Sequence, residues 1–226
     1  MGNPQNELAL EGVMFFGKVS ASISHEIKNV LAVMSESAGL IEDLCLLSVK
    51  RGVGLDVQRV QSLSGRIRNQ VGRADEIVKN MNRFAHTVDE VVSTIDLQEH
   101  IQLLITLSRR LAAMREVSIE FVPMERQISL TTSPFLLLCL LWSCLHYSMS
   151  VCGAEKKVDI RVKESDAAVR ISFSGLKDLS GSAGSGLPGD LERISARELR
   201  ARVFSNPEAG AVTVELPWKI SNDPAS

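Results

Sequence analysis

Apolar and small residues recur through residues 7–49 at Phe16, Ser20, Ile23, Ile27, Val30, Met34, Ser37, Ile41, Leu44 and Ser48, with no proline in between. The steps alternate between four and three, which is the heptad seam of a long helix. A second seam follows at Ser64, Ile67, Val71, Ala74, Val78, Met81, Ala85, Val88 and Val92. Between them, K-R-G-V-G-L-D supplies Gly52 and Gly54 to break the first helix and Asp56 to cap the second. Two long helices with so short a connection fold back antiparallel. One hairpin leaves half of each seam wet, and pairing with a second copy closes a four-helix bundle. A homodimer is therefore expected, with Ile27 and Met34 in the seam.

After Val92 the heptads give way to a mixed pattern. Strands are predicted at residues 93–97, 117–122 and 128–130, with a helix at 98–115. Ser133 and Pro134 open a helix that runs to about Val151. Two alternating strands follow at 157–163 and 168–174. A Gly/Ser segment, S-G-S-A-G-S-G-L-P-G, then leads to a helix from Asp190 to about Val203 and a last strand ending at Pro217. The organisation read from these patterns is a hairpin over 1–92, an α/β domain over 93–220 and a tail at 221–226.

Composition narrows the function by exclusion. The formal net charge is −2 and neither half carries a basic excess, so nucleic acid is not an expected partner. Aromatic residues are 4% of the chain, too few for a base-stacking surface. The stretch 128–154 has no Asp, Glu, Lys or Arg, but its dense apolar block is shorter than the ~20 residues a membrane span needs. It reads as a buried helix, and no membrane association is expected. Cys45, Cys139, Cys144 and Cys152 form no C-x-x-C pair and read as reduced core thiols of a cytoplasmic protein.

One string carries chemistry. In the first seam His25 falls at the most exposed heptad position, and Asn29 sits one turn along the same face. The residues are S-H-E-I-K-N, Ser24 to Asn29. H-E-x-x-N on the first helix of such a hairpin resembles the phosphoacceptor box of two-component sensor histidine kinases. The family string continues Pro-Leu, where this chain has Val30-Leu31. The resemblance implies that His25 accepts phosphoryl, that Glu26 acts as a base or orients the ring, and that Asn29 positions water for dephosphorylation. Imidazole suits the first role, being a good nucleophile near neutral pH that forms a high-energy phosphoramidate.

The following domain resembles the Bergerat-type ATP-binding domain of the same kinases, both in element order and in the closing E-A-G-A-V-T-V-E-L-P. The fold expected is thus α+β: a helical hairpin forming a dimeric four-helix bundle, then a degenerate Bergerat-type α/β sandwich. It is degenerate because the ATP boxes are mostly absent. Ser143 and Tyr147, in S-C-L-H-Y-S, stand where the family has Asn residues, one of them a Mg²⁺ ligand. Phe173 stands where an Asp holds adenine, with only Gly175 of that box retained. Gly184 and Gly186 match the second glycine box and imply a vestigial phosphate loop. With Gly189 they also spell G-x-G-x-x-G, but no strand directly precedes it, so a dinucleotide reading fails. No cofactor and no metal are expected. The function expected is a histidine phosphotransferase that exchanges phosphoryl between His25 and response-regulator receiver domains, fed by an upstream hybrid histidine kinase. The alternatives are a receiver phosphatase working through Asn29, a diverged autokinase, and a non-catalytic pseudo-kinase scaffold.

Overall fold

The computed structural model describes residues 4–177, 179, 187 and 189–219. The vestigial loop residues Gly184 and Gly186, and the tail at 221–226, lie outside the described residues. Helix α1 spans Pro4–Arg51 and α2 spans Val57–Ala85. A one-turn 3-10 helix, His86–Val88, follows. Then come β1 (Ser93–Asp96), α3 (Leu97–Met114), β2 (Ser118–Phe121), β3 (Ser129–Thr132) and α4 (Pro134–Ser150). The chain closes with β4 (Lys157–Glu164), β5 (Ala168–Ser174), α5 (Asp190–Glu198), β6 (Arg202–Asn206) and β7 (Ala211–Pro217). The chain divides into two compact units, Val19–Phe84 and the combination of Met1–Lys18 with Ala85–Ser226.

In the first unit the break between the helices is built as the glycines suggest. Gly52 takes a left-handed φ of +64°, and the Asp56 carboxylate accepts from the Arg59 N–H at 3.0 Å, capping α2. Ion pairs Glu36–Arg66 and Glu26–Arg73 join residues whose numbers fall on one helix as they rise on the other, so the hairpin is antiparallel. On α1, Ile23, Val30 and Ser37 are buried, as the seam requires. The start of that seam is displaced: Val19 is buried, one position before the predicted Ser20. On α2 the stripe turned inward runs through Val60, Leu63, Ile67, Gln70, Ala74 and Ile77. It shares Ile67 and Ala74 with the predicted seam and lies to one side of Val71 and Val78, which stay exposed. The seam predicted to run on to Val92 leaves the helix at Ala85, because T-V-D-E-V-V-S-T-I is rich in β-branched residues that favour extended backbone.

The second unit packs helices on one face of a sheet. β1 pairs antiparallel with β3. The main sheet has the order β2-β4-β5-β7-β6, with β2 and β4 parallel and the remaining pairs antiparallel. Val169, Ile171 and Phe173 of β5 lie opposite Leu216, Val214 and Val212 of β7, and all six are fully or almost fully buried. The charge-free α4 covers them with Leu137, Leu138, Leu141 and Leu145, each at 0% exposure. The first residues of α1 also belong to this unit, with the Phe15 ring 5.1 Å from Trp142 and 6.1 Å from Phe135. No helix among the described residues is long and apolar enough to cross a membrane.

Three sequence expectations are corrected here. The helix predicted from Asp190 to Val203 ends at Glu198, and Arg200 adopts φ +49°, turning the chain into the edge strand β6. The alternation of R-V-F-S-N, with Val203 and Ser205 set opposite Val214 and Val212, decides for strand. Ser133 occupies the cap position of α4 and Pro134 its first turn, but the serine hydroxyl makes no capping bond. All four cysteines are free, yet Cys45 is exposed and only Cys144 is fully buried.

Candidate functional site

His25 and Asn29 are both exposed on α1, one turn apart, while Ile23 and Val30 on the opposite side are buried. The helix thus holds the imidazole outward and fixes its backbone through the seam. No described residue hydrogen-bonds the His25 ring, so both nitrogens are open to an incoming group. Glu26 points sideways. Its carboxylate, whose side chain is 24% exposed, lies 4.0 Å from the Arg73 guanidinium on α2. Arg73 is the residue that sequence reasoning missed. Its only signal was the hairpin register, which sets position 73 beside position 26 once the turn at 52–55 is fixed.

At two of the positions matched to the ATP-binding boxes the side chains are engaged within the protein. The Ser143 hydroxyl on α4 donates to the Glu192 carboxylate on α5. The other Glu192 oxygen accepts from the Gly189 N–H at 2.9 Å, which ties α4 to the first turn of α5. Tyr147 is half-buried on α4. Phe173 points into the core at 0% exposure, so an apolar ring stands where the family resemblance calls for a carboxylate. Gly175 is retained for a backbone reason: it has φ +90°, and a Cβ there would lie 2.6 Å from the Lys157 carbonyl oxygen. Burial pushes the Cys144 thiol up, which keeps it protonated and inert.

Among the described residues no three His, Cys, Asp or Glu side chains gather as a metal site. Of the other histidines, His86 pairs through Nδ1 with Asp89 at 2.6 Å. His146 accepts from Arg115 through Nε2 at 2.9 Å, and burial, then the charges of Arg115 and Lys18, hold its pKa below the ordinary value. His100, on α3, is buried at 6% exposure, so none of the three leaves an open ring comparable to His25.

No family model matches the sequence, and no curated protein matches it. Several solved structures are similar in fold. The catalytic domain of histidine kinase ThkA, nucleotide-free, is 17% identical over 57% of this chain and 99% of that one, with a TM-score of 0.47. The Acinetobacter baumannii histidine kinase AdeS is 12% identical over 88% and 98%, also at 0.47. A complex of ThkA with the response regulator TrrA gives 16%, 96%, 64% and 0.47. None of these three exceeds 17% identity or a TM-score of 0.47, so the functional reading rests on this chain's own residues.

Proposed function

We propose that the chain is a histidine phosphotransferase of a two-component phosphorelay, working as a homodimer without ATP. The observation that carries this reading is the His25 imidazole, exposed and unpaired on a helix whose opposite side is buried. In the proposed step the lone pair of one ring nitrogen attacks the phosphorus of an aspartyl phosphate on a receiver domain. The N–P bond forms as the acyl P–O bond breaks, and the partner's carboxylate leaves with the bonding pair. Glu26, the next residue, is proposed to favour the positive charge that develops on the ring. Reversal passes phosphoryl to a second receiver, so an upstream hybrid histidine kinase and a downstream response regulator are the proposed partners.

The reading that ATP is not used is supported by two side chains. Ser143 is engaged with Glu192, and Phe173 occupies the core. Buried polar recognition of a ligand is worth roughly 1–3 kcal/mol per contact, and an apolar ring supplies none of it. A phosphatase reading is favoured by one further observation, the exposure of Asn29 on the His25 face, where its amide can hold a water. Labelled receiver phosphate separates these readings. Wild type should take up label, His25→Ala should take up none, and Asn29→Ala should keep transfer while slowing hydrolysis. Label appearing on His25 from ATP and Mg²⁺ alone would restore the autokinase reading.

A further inference from the structure

His146 on α4 is held by a guanidinium. The Arg115 side chain, at the end of α3, donates to the His146 carbonyl and to its ring Nε2, both at 2.9 Å. Because Nε2 accepts, the ring is neutral and its proton sits on Nδ1. Trp142, one turn earlier on α4, lies beside it with the ring centres 5.1 Å apart. The first turns of α1 dock on the same indole. Phe15 is buried with its ring 5.1 Å from Trp142, and the Lys18 ammonium lies 5.2 Å from the centre of the indole ring. Two cations thus act on a neutral imidazole, and among the described residues neither Arg115 nor Lys18 has a carboxylate partner.

We propose that His146 is an acid-sensitive latch, in which a proton on the ring frees the first turns of α1, up to Lys18, from α4. The proton takes the Nε2 lone pair, so the Arg115 N–H loses its acceptor and faces a second donor. The imidazolium also adds a positive charge to a cluster that holds no carboxylate, and it competes with Lys18 for the indole of Trp142. Arg115 stays tied to α4 through the His146 carbonyl, whereas Lys18 is held by the indole, so the strain is relieved on the α1 side. The sign follows from the surroundings of the ring. Burial, then the charges of Arg115 and Lys18, keep the His146 pKa below the ordinary 6.5. Release of α1 removes Lys18 and admits water, so the freed state binds the proton first. Docking is therefore complete above about pH 6.5 and weakens as the pH falls through the lower native value. α1 is one continuous helix, and Lys18 lies ~two turns before His25, so the latch acts on the helix that carries the nucleophile.

The test is amide exchange of the full chain at residues 9–18, each rate corrected for its intrinsic pH dependence. In wild type, protection there should fall about tenfold between about pH 7.5 and about pH 5, while protection within β5 and β7 stays level. A tenfold fall is what a tenfold difference in proton affinity between docked and freed states gives. His146→Gln keeps an acceptor for Arg115 and cannot take the proton, so its protection should stay at the wild-type neutral level throughout. His146→Lys carries the charge permanently and should loosen residues 9–18 already at about pH 7.5. Lys18→Met, at an exposed position, should reduce the fall to about threefold. An equal fall in His146→Gln, a level profile in wild type, or undiminished protection in His146→Lys would each overturn the proposal. So would an unchanged tenfold fall in Lys18→Met, or a His146 midpoint at or above about 6.5 by NMR titration.

Discussion

Leu137, Leu138, Leu141 and Leu145 of α4 are 0% exposed, whereas Val71 and Val78 of α2 are 50% and 45% exposed. Both helices carry repeated apolar positions, and what differs is the cover. α4 has a five-stranded sheet beneath it and α3 beside it, so its apolar surface is consumed within its own unit. α2 has one helix for a neighbour. Its apolar face is wider than that neighbour, with Leu63, Ile67 and Ile77 turned inward and Val71 and Val78 left on the far flank. Within the α/β unit these α4 leucines are fully covered, while α2 of the hairpin keeps a bare apolar flank and α1 an unpaired nucleophile, as suits elements that meet other chains.

The strongest way to break this contrast is to charge the bare flank. In the proposed homodimer Val71 and Val78 become buried, and an unpaired carboxylate there costs several kcal/mol. Val71→Glu with Val78→Glu should convert a dimer to a monomer by light scattering and leave the melting of the α/β unit unmoved. The flank is a better target than Ile27 and Met34. Those two are already half-buried within the hairpin, so charging them would damage the monomer as well. A wild type that is monomeric at micromolar concentration removes the basis of the comparison.

Next in size is a cavity in the α/β unit. Leu141 is fully buried, and Leu141→Ala should destabilise the α/β unit by about 3 kcal/mol in urea unfolding followed by the Trp142 fluorescence. Val71→Ala, at an exposed position, should move the same curve by less than about 0.5 kcal/mol. Equal effects would show that the hairpin and the α/β unit do not differ in the way their exposures indicate.

Much of this contrast was legible in the sequence, and the misreadings share a cause. Periodicity alone placed both hairpin helices, the buried α4 and the strands β4, β5 and β7, because each repeats its pattern over many residues. His25 and Asn29 followed from the same periodicity, since the buried side of the helix fixes the exposed one. β6 did not follow. Its five residues continue an amphipathic run, and only pairing with β7 turns that run into strand. Nor did the inward stripe of α2, which keeps Ile67 and Ala74 of the predicted seam but takes Leu63, Gln70 and Ile77 in place of Ser64, Val71 and Val78. A wide apolar face satisfies two heptad registers, and only the neighbour chooses between them. Arg73 and the Ser143–Glu192 bond are tertiary pairings between separate helices, which no local pattern encodes.

A smaller effect tests the open face of the sheet. Hydrogen bonds from Arg202 and then Arg170 hold Glu215 below the ordinary carboxylate value of 4.5. Because the native pKa is depressed, the unfolded chain binds the proton first as the pH falls. The stabilisation is therefore complete above about pH 4.5 and is lost as the pH drops through the lower native value. Glu215→Gln should cost about 1–2 kcal/mol at pH 7 and flatten the stability curve below pH 4.5, as measured by urea midpoints. A variant curve parallel to wild type throughout the acid range would show that the Arg170–Glu215–Arg202 row contributes nothing.

The smallest effect tests how the hairpin presents its nucleophile. Arg73 lies 4.0 Å from Glu26 and is more than half exposed, so the pair is worth at most about 0.5 kcal/mol, or roughly a twofold change in rate. The sign follows from the proposed transfer. Positive charge grows on the His25 ring as it attacks phosphorus, and the neighbouring Glu26 carboxylate favours that charge. Arg73 opposes it by partly neutralising Glu26 and drawing it toward α2. Arg73→Ala should therefore speed phosphoryl acceptance by about twofold, and the gain should shrink at high salt. Glu26→Gln should slow acceptance. In the double variant Arg73→Ala should add nothing, because its effect passes through the carboxylate that is no longer there. A twofold gain that persists in the Glu26→Gln background would place the action of Arg73 on the incoming receiver instead of on Glu26.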